Sequence, residues 1–139
     1  MNIKNKLSQI IETNKNKIFI SDKNNSYSYL EIFSIALSYG EKLYTMGVRK
    51  GDVIIFSLPN SIEHLIIYLS CLMRGYIASP VNIKQKELSN LITKNINDDF
   101  KIHQLDLEIK PSFSKKDKYT LEDIKKCINL INEKSFYSI

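Results

Sequence analysis

Arginine is nearly absent from this 139-residue chain, occurring only at Arg49 and Arg74. The formal charge of +5 therefore comes from lysines spread along the whole length. Nucleic-acid binders gather Arg and Lys on one face and interleave aromatic residues. No such cluster is visible, so a nucleic-acid partner is not expected. Cysteine is equally sparse. Cys71 and Cys127 stand far apart and outside any C-x-x-C, which excludes a disulfide framework and a zinc-ribbon spacing. No apolar run approaches the roughly 20 residues that a membrane-spanning helix needs. The segment 1–12 mixes charges with its apolar residues and has no signal-peptide core, so a cytoplasmic protein is expected.

Glycine is the next scarcity, at four residues. A phosphate cradle needs several backbone N–H groups converging on one point, which is why such loops are glycine-rich. Gly47 and Gly51 are the only paired glycines, and Asp52 follows where a Walker loop carries Lys and Ser/Thr. A carboxylate there repels phosphate, so this is read as a helix-to-strand turn. His64 and His103 are the two histidines, too few for a metal site without further ligands. Cys71 lies in an apolar helical run that disfavours a thiolate. Ser57 and Ser61 flank Pro59 without a G-x-S-x-G elbow. No catalytic, cofactor-binding or metal-ligating residue emerges.

What is present is alternation of strands and helices. Ile3, Leu7, Ile10 and Ile11 share one face of a first helix within residues 1–16, and residues 17–21 form a strand, followed by a turn at Asp22-Lys23-Asn24-Asn25 and a brief return strand at Tyr27. Ser28 and Glu31 make an S-x-x-E capping box. The helix it opens carries Tyr29, Ile32, Phe33, Ala36, Leu37, Gly40, Leu43 and Tyr44 on one stripe. Ser34, Ser38, Glu41, Lys42 and Thr45 occupy the opposite side, and Gly47 ends the helix. Residues 52–58 read as a strand covered on both faces. A second helix over 61–74, with Asn60 and Glu63 as its cap, is apolar nearly all round and closes at Gly75. Strands over 76–81 and 100–105 and a helix around Glu87 to Asn95 complete an alternating region, 17–105. Residues 106–119 read as a polar loop. Thr120 and Asp123 cap a last helix, and 135–139 begin a further strand, within 120–139. The expected fold is a single α/β subdomain, a mostly parallel sheet with helices on both faces.

The order and spacing of several segments resemble the acyl-adenylate-forming ligases of acyl-CoA synthetase type. The segment Tyr27-Ser28-Tyr29-Leu30-Glu31 is similar to that family's opening motif. Gly47-Val48 with Lys50-Gly51-Asp52-Val53, then Leu58-Pro59-Asn60-Ser61 with Glu63, then Gly75 with Pro80-Val81-Asn82, follow in the family's order. The likeness runs roughly over residues 18–102. It implies the first subdomain of the ligase N-terminal domain. It also implies an intact protein that uses ATP, Mg and CoA on a carboxylic acid substrate.

The family's phosphate loop, its ribose- and carboxylate-binding motifs and its catalytic lysine all lie downstream of the matching segments. The chain alone is therefore expected to be inactive, with the remainder of the ligase as its partner. An exposed sheet edge would also leave it open to self-association. Two other readings stand beside this one. One is a degenerate ligase domain kept as a binding or scaffold module. The other is an unrelated doubly wound domain, which lacks its acidic strand ends and its Ser/Thr/Gly loop here.

Overall fold

The computed structural model describes residues 3–58, 61–81, 102–105 and 119–131. In chain order the elements are α1 (Ile3–Asn14), β1 (Ile18–Ser21), β2 (Ser26–Ser28), α2 (Tyr29–Thr45), β3 (Val53–Phe56), α3 (Ile62–Arg74), β4 (Ile77–Pro80), β5 (Ile102–Gln104) and α4 (Leu121–Leu130). The helix expected around Glu87 to Asn95, residues 106–118 of the polar loop and the strand expected from Ser135 lie outside the described residues.

The class is α/β. β3 is the centre of a three-stranded sheet ordered β4-β3-β5, and both of its neighbours run parallel to it. The strand read over 17–21 does not join that sheet. β1 instead pairs antiparallel with β2 as a separate two-stranded ribbon. The reason is the turn between them: Asp22 Oδ1 accepts the backbone N–H groups of Asn24 at 2.9 Å and Asn25 at 2.7 Å. An Asx-type turn of this kind reverses the chain immediately and leaves no length for a parallel crossover.

α2 begins as its sequence indicates. The Ser28 Oγ accepts from Glu31 N, and Glu31 Oε1 accepts from Ser28 N, so two orphan donors are satisfied reciprocally. It ends at Met46, with Gly47 at φ 108° beyond it. The start of α3 differs by one residue from the Asn60 reading. Ser61 is the N-cap, its hydroxyl accepting from His64 N at 3.2 Å. Gly75, at φ 77°, closes α3 in the left-handed conformation.

α3 divides its apolar surface between two cores, which is why its sequence is apolar nearly all round. Ile67 and Cys71 join Leu43, Val48, Ile54, Phe56, Tyr76 and Leu105 against the sheet. Ile62, Ile66 and Met73 join Ile11 of α1, Ile32 to Leu37 of α2, and Ile124 and Ile128 of α4. Among the described residues, helices cover the sheet face bearing Ile54 and Phe56. Alternation along β3 places Val53 and Ile55, both half-buried, on the other face.

The α2–α3 seam is tight and is fastened to main-chain carbonyls. A Cβ at Gly40 would fall 2.5 Å from Arg74 Cγ, so the glycine makes room for the Arg74 side chain to lie across α2. The Ser70 hydroxyl lies 2.7 Å from the carbonyls of both Ala36 and Ile66, and the Tyr76 hydroxyl donates to Gly40 O at 2.9 Å. Arg74 Nη2 donates to Leu37 O at 3.0 Å and to the Tyr119 hydroxyl at 3.2 Å. Tyr119 in turn donates to Glu41 Oε2, and its N–H donates to the buried Ser34 Oγ. The polar side of α2 is therefore not uniformly solvated: Ser34 and Glu41 receive the residue that leads into α4. Tyr44 departs in the other direction. It is half-exposed, outside the core stripe, with the Arg49 guanidinium stacked 3.7 Å over its ring.

Candidate functional site

Open parallel sheets bind ligands beyond the carboxyl ends of their strands. Here that edge consists of Ser57 and Leu58 after β3, Val81 after β4, Leu105 after β5 and the start of α3. Beside it, the β1–β2 ribbon and α3 enclose a cleft of about 560 Å³ whose polar groups come from Ser21, Asp22, Ser61, His64 and Tyr68.

Most of these groups are already committed to the backbone. The Ser61 hydroxyl caps α3, and Asp22 holds its own turn. His64 Nδ1 lies 3.4 Å from Leu58 O, and its ring meets Phe56 edge-on with centroids 5.2 Å apart. These contacts set the exit of β3 against the first turn of α3. They form no nucleophile–base pair among the described residues. The contacts made by its described side chains are capping, turn and packing contacts.

The opposite, amino edge of the sheet holds an acid–base pair that sequence spacing does not reveal. His103 Nε2 of β5 lies 2.9 Å from Asp52 Oδ2, and the same oxygen accepts the N–H of Arg49 at 2.9 Å. The partners are 51 positions apart, so only the parallel β3–β5 register brings them together. That register signal, a histidine in a strand predicted next to a strand begun by Asp, is the one from which the pair could have been inferred. It joins β5 to β3.

The Gly47-to-Gly51 turn is closed to nucleotide phosphates by its own bonds. Arg49 N donates to Asp52, Asp52 N to Arg49 O, and Gly51 N to Gly75 O at 2.9 Å. The amides of Gly47, Val48, Arg49, Gly51 and Asp52 are thus engaged, and a carboxylate sits among them. Burial pushes the Cys71 thiol up to about 12, which keeps it protonated and unreactive at neutral pH. The Cys127 thiol is also raised by burial, with Arg74 acting in the opposite sense. Among the described residues no group of three or more His, Cys, Asp or Glu could hold a metal ion. No described helix is long and apolar enough to cross a membrane.

A protein-family model described as "AMP-binding enzyme" matches residues 7–91, more than half of the chain. The chain belongs to the AMP-binding enzyme family. It is 32% identical over 77 residues to 4-coumarate–CoA ligase 3 of Arabidopsis thaliana, covering 55% of this chain and 13% of that protein. It is also 32% identical over 73 residues to 4-coumarate–CoA ligase-like 9 of Oryza sativa subsp. japonica, covering 52% of this chain and again 13% of that protein. The matched part is thus a small fraction of these relatives.

Among solved structures, unliganded O-succinylbenzoate coenzyme A synthetase (MenE) from Bacillus subtilis superposes with a TM-score of 0.59 at 18% identity. That match covers 80% of this chain and 28% of that one. VinN in complex with L-aspartate gives a TM-score of 0.58 at 16% identity, over 93% and 35%. These likenesses establish the fold: an α/β portion of the N-terminal domain of adenylate-forming ligases.

Proposed function

We propose that residues 1–139 serve as the first, structural subdomain of an ATP-dependent carboxylate–AMP/CoA ligase in the cytoplasm, and that alone they do not catalyse. The family match over residues 7–91, which spans the ribbon, α2, β3, α3 and β4, carries this reading. In such a ligase a carboxylate oxygen attacks the α-phosphorus of ATP, and the bond to pyrophosphate breaks. A thiol sulfur such as that of CoA then attacks the acyl carbon, and AMP departs with the former carboxylate oxygen. ATP, Mg, CoA and the acid belong to the remainder of the ligase in this reading. The described residues do not fit a nucleotide: the one glycine-paired turn is internally bonded around Asp52.

The contribution of this chain is positional. Ser61 and His64 fix the angle at which α3 leaves the carboxyl end of β3, and Asp52 with His103 holds β5 in register. Placed in a 4-coumarate–CoA ligase 3 in exchange for the aligned segment, this segment should give a soluble ligase that still exchanges pyrophosphate into ATP. A chimera that melts cooperatively yet exchanges none would count against the proposal.

One observation favours the scaffold-module reading as well. α4 closes the first core through Ile124, Ile128 and Ile131, and Lys125 pairs with Glu12 of α1 at 3.2 Å. α4 therefore packs onto α1, as a self-supporting unit requires. The outer edges of β4 and β5, unpaired among the described strands, would be the route to self-association.

A further inference from the structure

α1 presents Ile3, Leu7 and Ile10 along two turns, and these line one wall of a groove of about 300 Å³. Phe33 of α2 and Leu69 and Leu72 of α3 form the floor and far wall. Ile3 and Ile10 remain 37% and 40% exposed, although their neighbour Ile11 is fully buried. The apolar surface continues past the groove. Phe19 lies edge-on to Phe33 with centroids 6.1 Å apart, and Ile18 beside it is 66% exposed. A contiguous recess of this kind on a folded surface marks a site of contact.

The single charged residue in its lining is a lysine, Lys6. Lys15 and Lys17 stand exposed where α1 passes into β1. None of the three has a carboxylate partner among the described residues. Glu12, the only acid of α1, is engaged by Lys125 on the side facing α4. We propose that this groove docks an acidic amphipathic helix of a partner protein. The recess between helices takes the ridge of another helix, whose apolar residues at i, i+3 or i+4, and i+7 would span about 10 Å, the length from Ile3 to Ile10. Its flanking Glu or Asp residues would meet Lys6, Lys15 and Lys17.

A second copy is disfavoured because it would set these lysines against one another in a chain already carrying +5. A lipid surface is disfavoured because Phe33, Leu69 and Leu72 lie at the bottom of a recess that a planar interface does not fill, and Ile18 alone stands well clear of it.

The test is fluorescence anisotropy with a labelled 16-residue helical peptide bearing leucines at that spacing and glutamates on both flanks. A twin peptide carries Lys in place of every Glu. The acidic peptide should bind at least about tenfold tighter than its basic twin at low salt, and the gap should shrink at about 1 M salt, where screening is complete within a few ångströms. Charge reversal at Lys6→Glu, Lys15→Glu and Lys17→Glu should invert the preference. Ile10→Ser, at an exposed position, should weaken the acidic peptide several-fold without lowering the melting temperature. Equal affinity for both peptides, binding of neither, or indifference to the charge reversal would overturn the proposal. So would sedimentation showing self-association that Ile10→Ser abolishes, or preferential binding to phosphatidylcholine–phosphatidylserine vesicles.

Discussion

Phe56→Ala is expected to cost about 3–5 kcal/mol of folding stability, because it removes the largest fully buried side chain among the described residues and leaves a cavity behind. Phe56 is the last residue of β3 and packs among Ile54, Ile67, Cys71 and Leu105, with His64 edge-on to its ring. The surroundings cannot collapse easily. β3 is hydrogen-bonded on both sides, and α3 is held to α2 through Ser70, Tyr76 and Arg74. Domains of this size are stable by only about 5–15 kcal/mol, so the substitution takes a large share of the total. Urea unfolding should show a lower midpoint at unchanged slope. A loss below about 1 kcal/mol would mean that the β3–α3 interface is not the core described here.

The second large effect is at α4. Ile128→Ala should cost about 2–5 kcal/mol, whereas Leu130→Ala, two residues on in the same helix, should stay within about 0.5 kcal/mol. Ile128 is fully buried against the α1–α2–α3 core, while Leu130 is 80% exposed. The two deletions remove similar apolar groups, so the contrast isolates docking from helix propensity. Equal costs at the two positions would show that α4 does not seat as described. Its seat is also polar: Tyr119 bridges Arg74 and Glu41, and Cys127 Sγ donates to Met73 O at 2.9 Å.

Elements governed by local chemistry were legible in the sequence. The Ser28–Glu31 and Thr120–Asp123 boxes and the left-handed Gly47 and Gly75 each follow from residues within one turn of one another. The shift from Asn60 to Ser61 at the start of α3 marks the limit of that reasoning, since adjacent residues with similar side chains can both cap. The parallel sheet was also legible, because β3 and β4 read as short apolar strands separated by a long helix.

What escaped was non-local. Ser34 and Glu41 carry polar side chains that periodicity assigns to solvent. Their bonding to Tyr119 depends on contacts across 85 and 78 positions. The turn at 22–25 and a return strand at Tyr27 were legible as local chemistry; what was not legible is that the resulting ribbon stays apart from the parallel sheet. At the candidate site, a cap at the start of α3 was within reach of the sequence, but its assignment to Ser61 and the packing of His64 on Phe56 were not. Nor was the Asp52–His103 contact, because it exists only once β3 and β5 are in register.

The central claim is that this chain contributes scaffold to a ligase and no chemistry of its own. Exchange of labelled pyrophosphate into ATP by the purified chain, across a panel of aliphatic and aromatic carboxylic acids with Mg present, tests it most directly. No exchange above the protein-free rate is the predicted result. Acid-dependent exchange that co-purifies with the chain and is lost on unfolding it would contradict the account.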